Sequence, residues 1–148
     1  MSKRAEVPYE TTLHVRDSCL CLHVQRAARA LARRFDDALR PLALTHGQFS
    51  LLMSLNRPEP PNMSSVAALL AMDRTTLTAN LKPLERRGLV TVSIDEADKR
   101  NRRMALTSAG RSLLAAAVPI WKRTHAAIDR LLAGASPDRL RTDLRALA

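Results

Sequence analysis

The chain is expected to be mainly α-helical with one small β-hairpin, and three observations predict this. Apolar residues recur at steps of three and four along most of the chain, which keeps them on one side of a helix. One short stretch, Val90-Thr91-Val92-Ser93-Ile94, instead alternates apolar with polar, the period of a strand with one covered face. Prolines, glycines and capping residues punctuate the boundaries between these patterns. The 148 residues amount to one ordinary domain, and 46% hydrophobic with 26% charged residues is enough to bury a core.

The first long helix is expected from Asp17 to Leu39, with Leu20, Val24, Ala27, Leu31, Phe35 and Ala38 on one face and Arg26, Arg29, Arg33 and Arg40 elsewhere. Pro41 stops it. Thr45-His46-Gly47-Gln48 then reads as a capping box that opens a second helix, whose buried side is Phe49, Leu52 and Met53. Arg57-Pro58-Glu59-Pro60-Pro61-Asn62 is a surface loop, because three prolines remove donors and fix the backbone. A short helix follows from about Ser65, with Val66, Leu69 and Leu70 as its apolar side. Met72-Asp73 is a tight break, and Asp73 caps a helix beginning at Arg74. In that helix Leu77, Leu81 and Leu84 lie within a narrow arc, while Thr75, Ala79, Lys82 and Arg86 fall opposite, flanked by Thr76 and Thr78. Pro83 is expected to bend it.

Gly88 ends this helix, and Arg102 to Leu106 returns as the partner of the Val90 strand. Between the strands, Asp95-Glu96-Ala97-Asp98-Lys99-Arg100-Asn101 is a charged tip expected to project into solvent. Thr107 caps a further helix carrying Leu113, Leu114, Ala117, Ile120, Trp121, Ile128 and Leu131, with a kink expected at Pro119 and an end at Gly134. Ser136-Pro137-Asp138 starts the last helix with an N-cap, a proline at the first position and an acid near the positive end of the dipole.

Charge narrows the function. Twenty-four Lys and Arg against 14 Asp and Glu leave +10, a surplus that attracts polyanions and excludes a basic partner. One Trp, one Tyr and two Phe are too few to pave a base-stacking platform, so duplex DNA is a better-placed polyanion than single strands. No run approaches the roughly 20 apolar residues of a membrane span, and no signal-peptide core follows Met1, so a cytoplasmic protein is expected. Cys19 and Cys21 give no disulfide framework, which fits a reducing compartment.

The helix pair around Met72-Asp73 has helix-turn-helix spacing, and a second helix with a small polar face enters the major groove, about 12 Å wide, where Thr methyls meet thymine and Lys or Arg meet guanine. Candidate DNA contacts on it are Arg74, Thr75, Thr76, Thr78, Lys82 and Arg86. The hairpin adds Lys99, Arg100, Arg102 and Arg103, which can reach phosphates or a narrow minor groove, with Asp98 orienting one of them. The bland alternative, that these cations only solvate a surface hairpin, is weakened by the adjacent helix pair.

From Met63 to Gly110 the chain resembles the winged-helix core of the MarR family of bacterial regulators. The likeness rests on Ser64 to Leu70, Asp73-Arg74-Thr75-Thr76-Leu77-Thr78, Leu84-Glu85-Arg86-Arg87-Gly88-Leu89-Val90, Asp95 to Arg100, and Leu106-Thr107-Ser108-Ala109-Gly110, in matching order and spacing. The resemblance implies a winged helix-turn-helix with N- and C-terminal dimerisation helices, acting as a homodimer on palindromic operators. It divides the chain into a disordered tail at 1–12, an N-terminal dimerisation helix and connection at 13–44, a DNA-binding lobe at 45–107 and C-terminal dimerisation helices at 108–148. It also implies that Asp98 braces Arg100 as that arginine enters the minor groove. Glu96 and Ala97 stand where the family's wing usually carries Pro-Arg, which removes one cation.

The resemblance further implies a repressor released by a small anionic or aromatic effector, with His23, Arg26, Phe49 and Trp121 as candidate lining residues. The plainer roles for these are core or interface packing. Cys21, in Leu20-Cys21-Leu22, matches the context of a reactive cysteine in the family's peroxide-sensing branch, although that branch also uses tyrosines and only Tyr9 is present. Cys19 and Cys21 lie about 200° apart on a helix, so a bond between them requires local unwinding, and buried inert thiols are the plainer reading. No cofactor, metal site or catalytic constellation is expected, since the four histidines lack ligand spacing and no phosphate-binding glycine pattern occurs. A non-specific DNA-packaging protein is the rival from another class, because charge alone would serve it.

Overall fold

The computed structural model describes residues 5–148, and among them the chain forms seven α-helices and one antiparallel hairpin. The helices are α1 (Tyr9–Ser18), α2 (Leu20–Leu39), α3 (His46–Ser54), α4 (Met63–Leu70), α5 (Arg74–Arg86), α6 (Ser108–Leu131) and α7 (Pro137–Arg145). The strands are β1 (Val90–Ile94) and β2 (Arg102–Leu106). The chain divides into two compact units, one ending at Arg34 and one running from Phe35 to Ala148. No helix among the described residues is long and apolar enough to cross a membrane.

In the first unit, two expectations are corrected. The tail expected over residues 1–12 is helical from Tyr9, where Pro8 precedes the first turn and Glu10 sits near its positive end. Its first four residues lie outside the described segment. The single helix expected from Asp17 is interrupted at Cys19, whose extended ψ of 110° ends α1 while its carbonyl accepts from the His23 amide of α2 at 3.1 Å. No residue of α1 is buried. Along α2, Leu20, Val24 and Leu31 of the apolar face remain exposed.

The second unit contains a continuous core. Leu39, Leu52, Val66, Leu77, Leu84, Met104 and Ala117 are fully enclosed, and Phe35, Leu113, Ile120 and Trp121 pack against the cluster. Each buried leucine of this kind contributes about 1.5–3 kcal/mol relative to exposure. The helix starts are secured by side chains. Thr45 and Gln48 form the expected capping box of α3, Asn62 caps α4, Asp73 caps α5, Thr107 caps α6 and Ser136 caps α7. The Asn62 carboxamide, accepting from the Ser65 amide at 2.9 Å, is why α4 begins at Met63 rather than near Ser65. Asp36, at the end of α2, accepts from both the amide and the Nδ1 of His46 at 2.7 and 2.9 Å, and the amide bond above all holds its carboxyl below the usual range.

Both interior prolines are carried within continuous helices, Pro83 in α5 and Pro119 in α6. A single 3₁₀ turn, Arg40–Leu42, follows α2 and ends on Ala43 in the left-handed region at φ 52°. Arg87, just past α5, donates to the Ala43 carbonyl at 2.7 Å and the Leu42 carbonyl at 3.3 Å. The hairpin register pairs Val90 with Leu106, Val92 with Met104 and Ile94 with Arg102. Behind it α6 approaches closely: a Cβ at Gly110 would lie 2.1 Å from the Leu89 carbonyl oxygen, so only glycine fits.

Candidate DNA-binding surface

The helix-turn-helix is α4 and α5, joined through Ala71, which takes a left-handed conformation at φ 52°. Asp73 then turns the chain into α5, accepting from the Thr76 amide at 2.7 Å and from its hydroxyl at 3.1 Å. These bonds, the amide first, keep the Asp73 carboxyl ionised below its ordinary range. Leu77, Leu81 and Leu84 anchor α5 in the core as their spacing predicted. The opposite face is therefore committed to solvent: Arg74, Thr75, Thr76, Thr78, Ala79, Lys82 and Arg86 are all exposed.

A cleft of about 620 Å³ separates this face from the hairpin. It brings together Arg74, Thr75, Thr78 and Lys82 from α5 with Arg100 and Arg102 from the wing. Thr76, Arg86, Asp98 and Lys99 are exposed but do not line it. Glu85 does line it, an acid that the reading of outward cations passed over although it lies one turn from Leu81. The Thr78 hydroxyl donates to the Arg74 carbonyl at 2.8 Å and lies 3.6 Å from the Met63 sulfur. Arg74 also reaches the wing, donating to the Arg100 carbonyl at 3.3 Å.

The wing differs from expectation in three ways. First, the tip does not project as a whole: Asp95 and Asn101 at its base are buried, and only residues 96–100 between them are exposed. Second, Asp98 does not brace the Arg100 guanidinium; its carboxylate accepts from the Arg100 backbone amide at 3.0 Å, closing a local turn of the kind aspartate favours. Third, Arg103 is turned inward. Its Nε donates to Asp95 at 3.1 Å and its Nη1 to the Pro60 carbonyl at 2.7 Å. The signal for this pair lay in the hairpin register. Arg103 opposes Ser93, and Asp95, two residues on, shares that face of the strand.

The candidate effector residues separate into two groups. Phe49 and Trp121 stack with centroids 6.5 Å apart, Trp121 stacks on His125 at 4.8 Å, and a mostly apolar cleft of about 530 Å³ lies beside them, also lined by Met53, Leu69, Leu70, Val118 and Lys122. His23 and Arg26 are not among its lining residues; they line a shallow trough on α2 with Arg29 and Arg33. The plainer expectation of buried thiols is corrected at Cys21, which is exposed and accepts from Gln25 at 3.3 Å, while Cys19 is half-buried. No cluster of three or more potential metal ligands occurs among the described residues.

A three-helix lobe with a reading helix and a cationic hairpin defines a winged helix-turn-helix protein. Comparisons with known proteins agree. The MarR family model matches residues 44–101. The regulator MosR of Mycobacterium tuberculosis, solved in complex with DNA, is 41% identical, with 88% of this chain and 93% of that one covered at a TM-score of 0.80. CouR of Rhodococcus jostii RHA1, solved with p-coumaroyl-CoA, is 26% identical over 88% of this chain and 90% of its own, with a TM-score of 0.70. The HTH-type transcriptional regulator SarZ of Staphylococcus saprophyticus is 29% identical over 94 residues, 64% of each chain, so the match spans less than two thirds of that relative. The chain belongs to the MarR family. The relatives are named as transcriptional regulators, in keeping with the expectation of a protein without a catalytic site.

Proposed function

We propose that the protein is a cytoplasmic transcriptional repressor that binds a palindromic operator as a homodimer and is released by a small anionic or aromatic compound. The observation that carries this reading is the cleft in which Arg74, Thr75, Thr78 and Lys82 of α5 face Arg100 and Arg102 of the wing. A reading helix enters the major groove while wing cations take phosphates or the minor groove, and the net charge of +10 draws the duplex in. The exposed apolar faces of α2 and α7 suit a second copy of the chain. Two reading helices about 34–36 Å apart then meet successive major grooves.

The cleft beside Phe49 and Trp121 suits the aromatic part of an effector, and Lys122 on its lining suits an acidic group. CouR, crystallised with p-coumaroyl-CoA, offers an example of an anionic aromatic ligand on this fold. A second reading, release through oxidation of Cys21, draws on the exposure of that thiol. If peroxide releases a Cys21→Ser variant from DNA as it does the parent protein, the thiol reading is wrong.

The main test compares binding to the protein's own upstream promoter duplex and to random duplex across a salt series. A regulator is expected to prefer the promoter by roughly a thousandfold or more, whereas a packaging protein shows no preference. Arg100→Ala is expected to weaken promoter binding and to flatten the salt dependence by about one unit of slope. An identical salt curve for the variant would remove Arg100 from the interface.

A further inference from the structure

By charge Arg103 belongs with the wing's cations, yet two arms of its fork already have partners. One arm meets Asp95 at the start of the tip and another meets Pro60 in the loop that leads into α4. Asp95 is almost fully buried, at 3% exposure, and its carboxylate also accepts from the Ala97 amide at 3.0 Å. That amide bond chiefly, with Arg103 adding to it, keeps the carboxyl below its usual range and so ionised. The same region is also fastened by backbone, the Met104 amide donating to the Pro61 carbonyl and Asn62 bridging to Arg103, and by the Asn101 side-chain amide, which donates to the Ser64 hydroxyl at the start of α4. The hairpin is thus anchored to the helix-turn-helix on one side by these links and by the Arg103 side chain, the one that also holds the Asp95 carboxylate at the start of the tip. At its tip, the Arg100 carbonyl receives Arg74 from the reading helix.

We infer that Arg103, clipped between Asp95 and the Pro60 carbonyl, is a positioning residue that fixes the wing's angle to α5 and so aims Arg100 and Arg102 at the duplex. This rests on the DNA-binding reading above. Arg103 itself makes no DNA contact in this arrangement. An arginine fork holds two acceptors at once in fixed geometry, which a lysine ammonium on a flexible stem does not reproduce. The role therefore depends on shape and not on charge, and this separates it from a phosphate contact.

The test has two arms. In the first, full-length Arg103→Lys and Arg103→Met are titrated against the promoter duplex. Both are expected to lose affinity alike, by roughly tenfold, a loss of about 1.4 kcal/mol. In an Arg100→Ala, Arg102→Ala background, Arg103→Met is expected to cost less than about twofold more, because the residues it aims are already gone. A lysine variant that binds like the parent, or losses that simply add, would mark Arg103 as an ordinary charge contact and overturn the inference. In the second arm, hydrogen exchange is followed on DNA-free protein. The Ala97 and Arg100 amides should exchange at least about tenfold faster in Arg103→Met, while the amides of Leu81 and Leu84 keep their protection. Unchanged exchange at the tip overturns the clip whatever happens on DNA. A parent protein with no promoter preference removes the DNA reading and the aiming role with it, while the exchange arm still judges the clip by itself.

Discussion

The lobe between Leu39 and Ala117 and the helices at the chain's ends carry similar amphipathic patterns but meet different fates. In the lobe the apolar stripes are largely covered: Leu77, Leu81 and Leu84 of α5 and Leu51 and Leu52 of α3 are buried, whereas Met53 and Leu69, expected on the inner sides of α3 and α4, are exposed because they line the cleft beside Trp121. At the ends, α1 and α7 bury nothing, and α2 buries only Leu39 at its last position. Leu20, Leu140, Leu144 and Leu147 are exposed to between 41% and 68%, too much apolar surface for helices that serve only as spacers. Periodicity reports which residues share a face. Whether that face is closed within the chain or by another molecule is a separate property, visible only once the fold is known.

Three measurements break or sharpen this contrast. The largest effect is expected from Leu81→Ala in the lobe, which should lower unfolding stability by about 2–5 kcal/mol in urea. Leu20→Ala in the end region should change it by no more than about 0.5 kcal/mol at protein concentrations where the chain is monomeric. If a second copy binds, the same Leu20→Ala should lower the midpoint at concentrations where the parent is paired, and the difference should vanish on dilution, because association and folding are then linked. Equal losses in the two variants under monomeric conditions would erase the contrast.

A smaller effect, about 1–3 kcal/mol, is expected for Gly110→Ala, where the added Cβ meets the Leu89 carbonyl and forces α6 away from the hairpin. A urea melt measures the loss, and a variant as stable as the parent would mean that α6 shifts freely. The smallest effect is in acid. Asp36, Asp73 and Asp95 have folded-state pKa values held below the ordinary value of about 3.9. Their contribution is therefore complete above that value and is lost as pH falls towards the lower folded-state values. Asp73→Asn and Asp95→Asn should each flatten the acid limb of stability against pH, and an unaltered limb would dissociate these carboxylates from the lobe's acid response.

Much of the lobe is legible in the sequence alone. Thr45, Asp73, Thr107 and Ser136 cap where their chemistry says they should, since a cap is settled by residues three apart in the chain. The hairpin followed from its alternation, and the outward set of α5 from the inward leucines. What was not legible depends on contacts distant in sequence. Arg103 and Pro60 are 43 residues apart, and although the hairpin register offers Asp95 as a partner for Arg103, nothing local shows that the loop before α4 supplies its second acceptor. The break at Cys19 was missed for the opposite reason: no proline or glycine marks it, and the apolar period continues across it.

The bond from Arg87 to the Ala43 and Leu42 carbonyls has a mechanical meaning. It ties the carboxyl end of the reading helix to the bend that follows α2, so a sideways displacement of that bend is transmitted as a tug on the helix. A shift of the bend is thereby felt at α5 from a distance, leaving every outward side chain of that helix untouched.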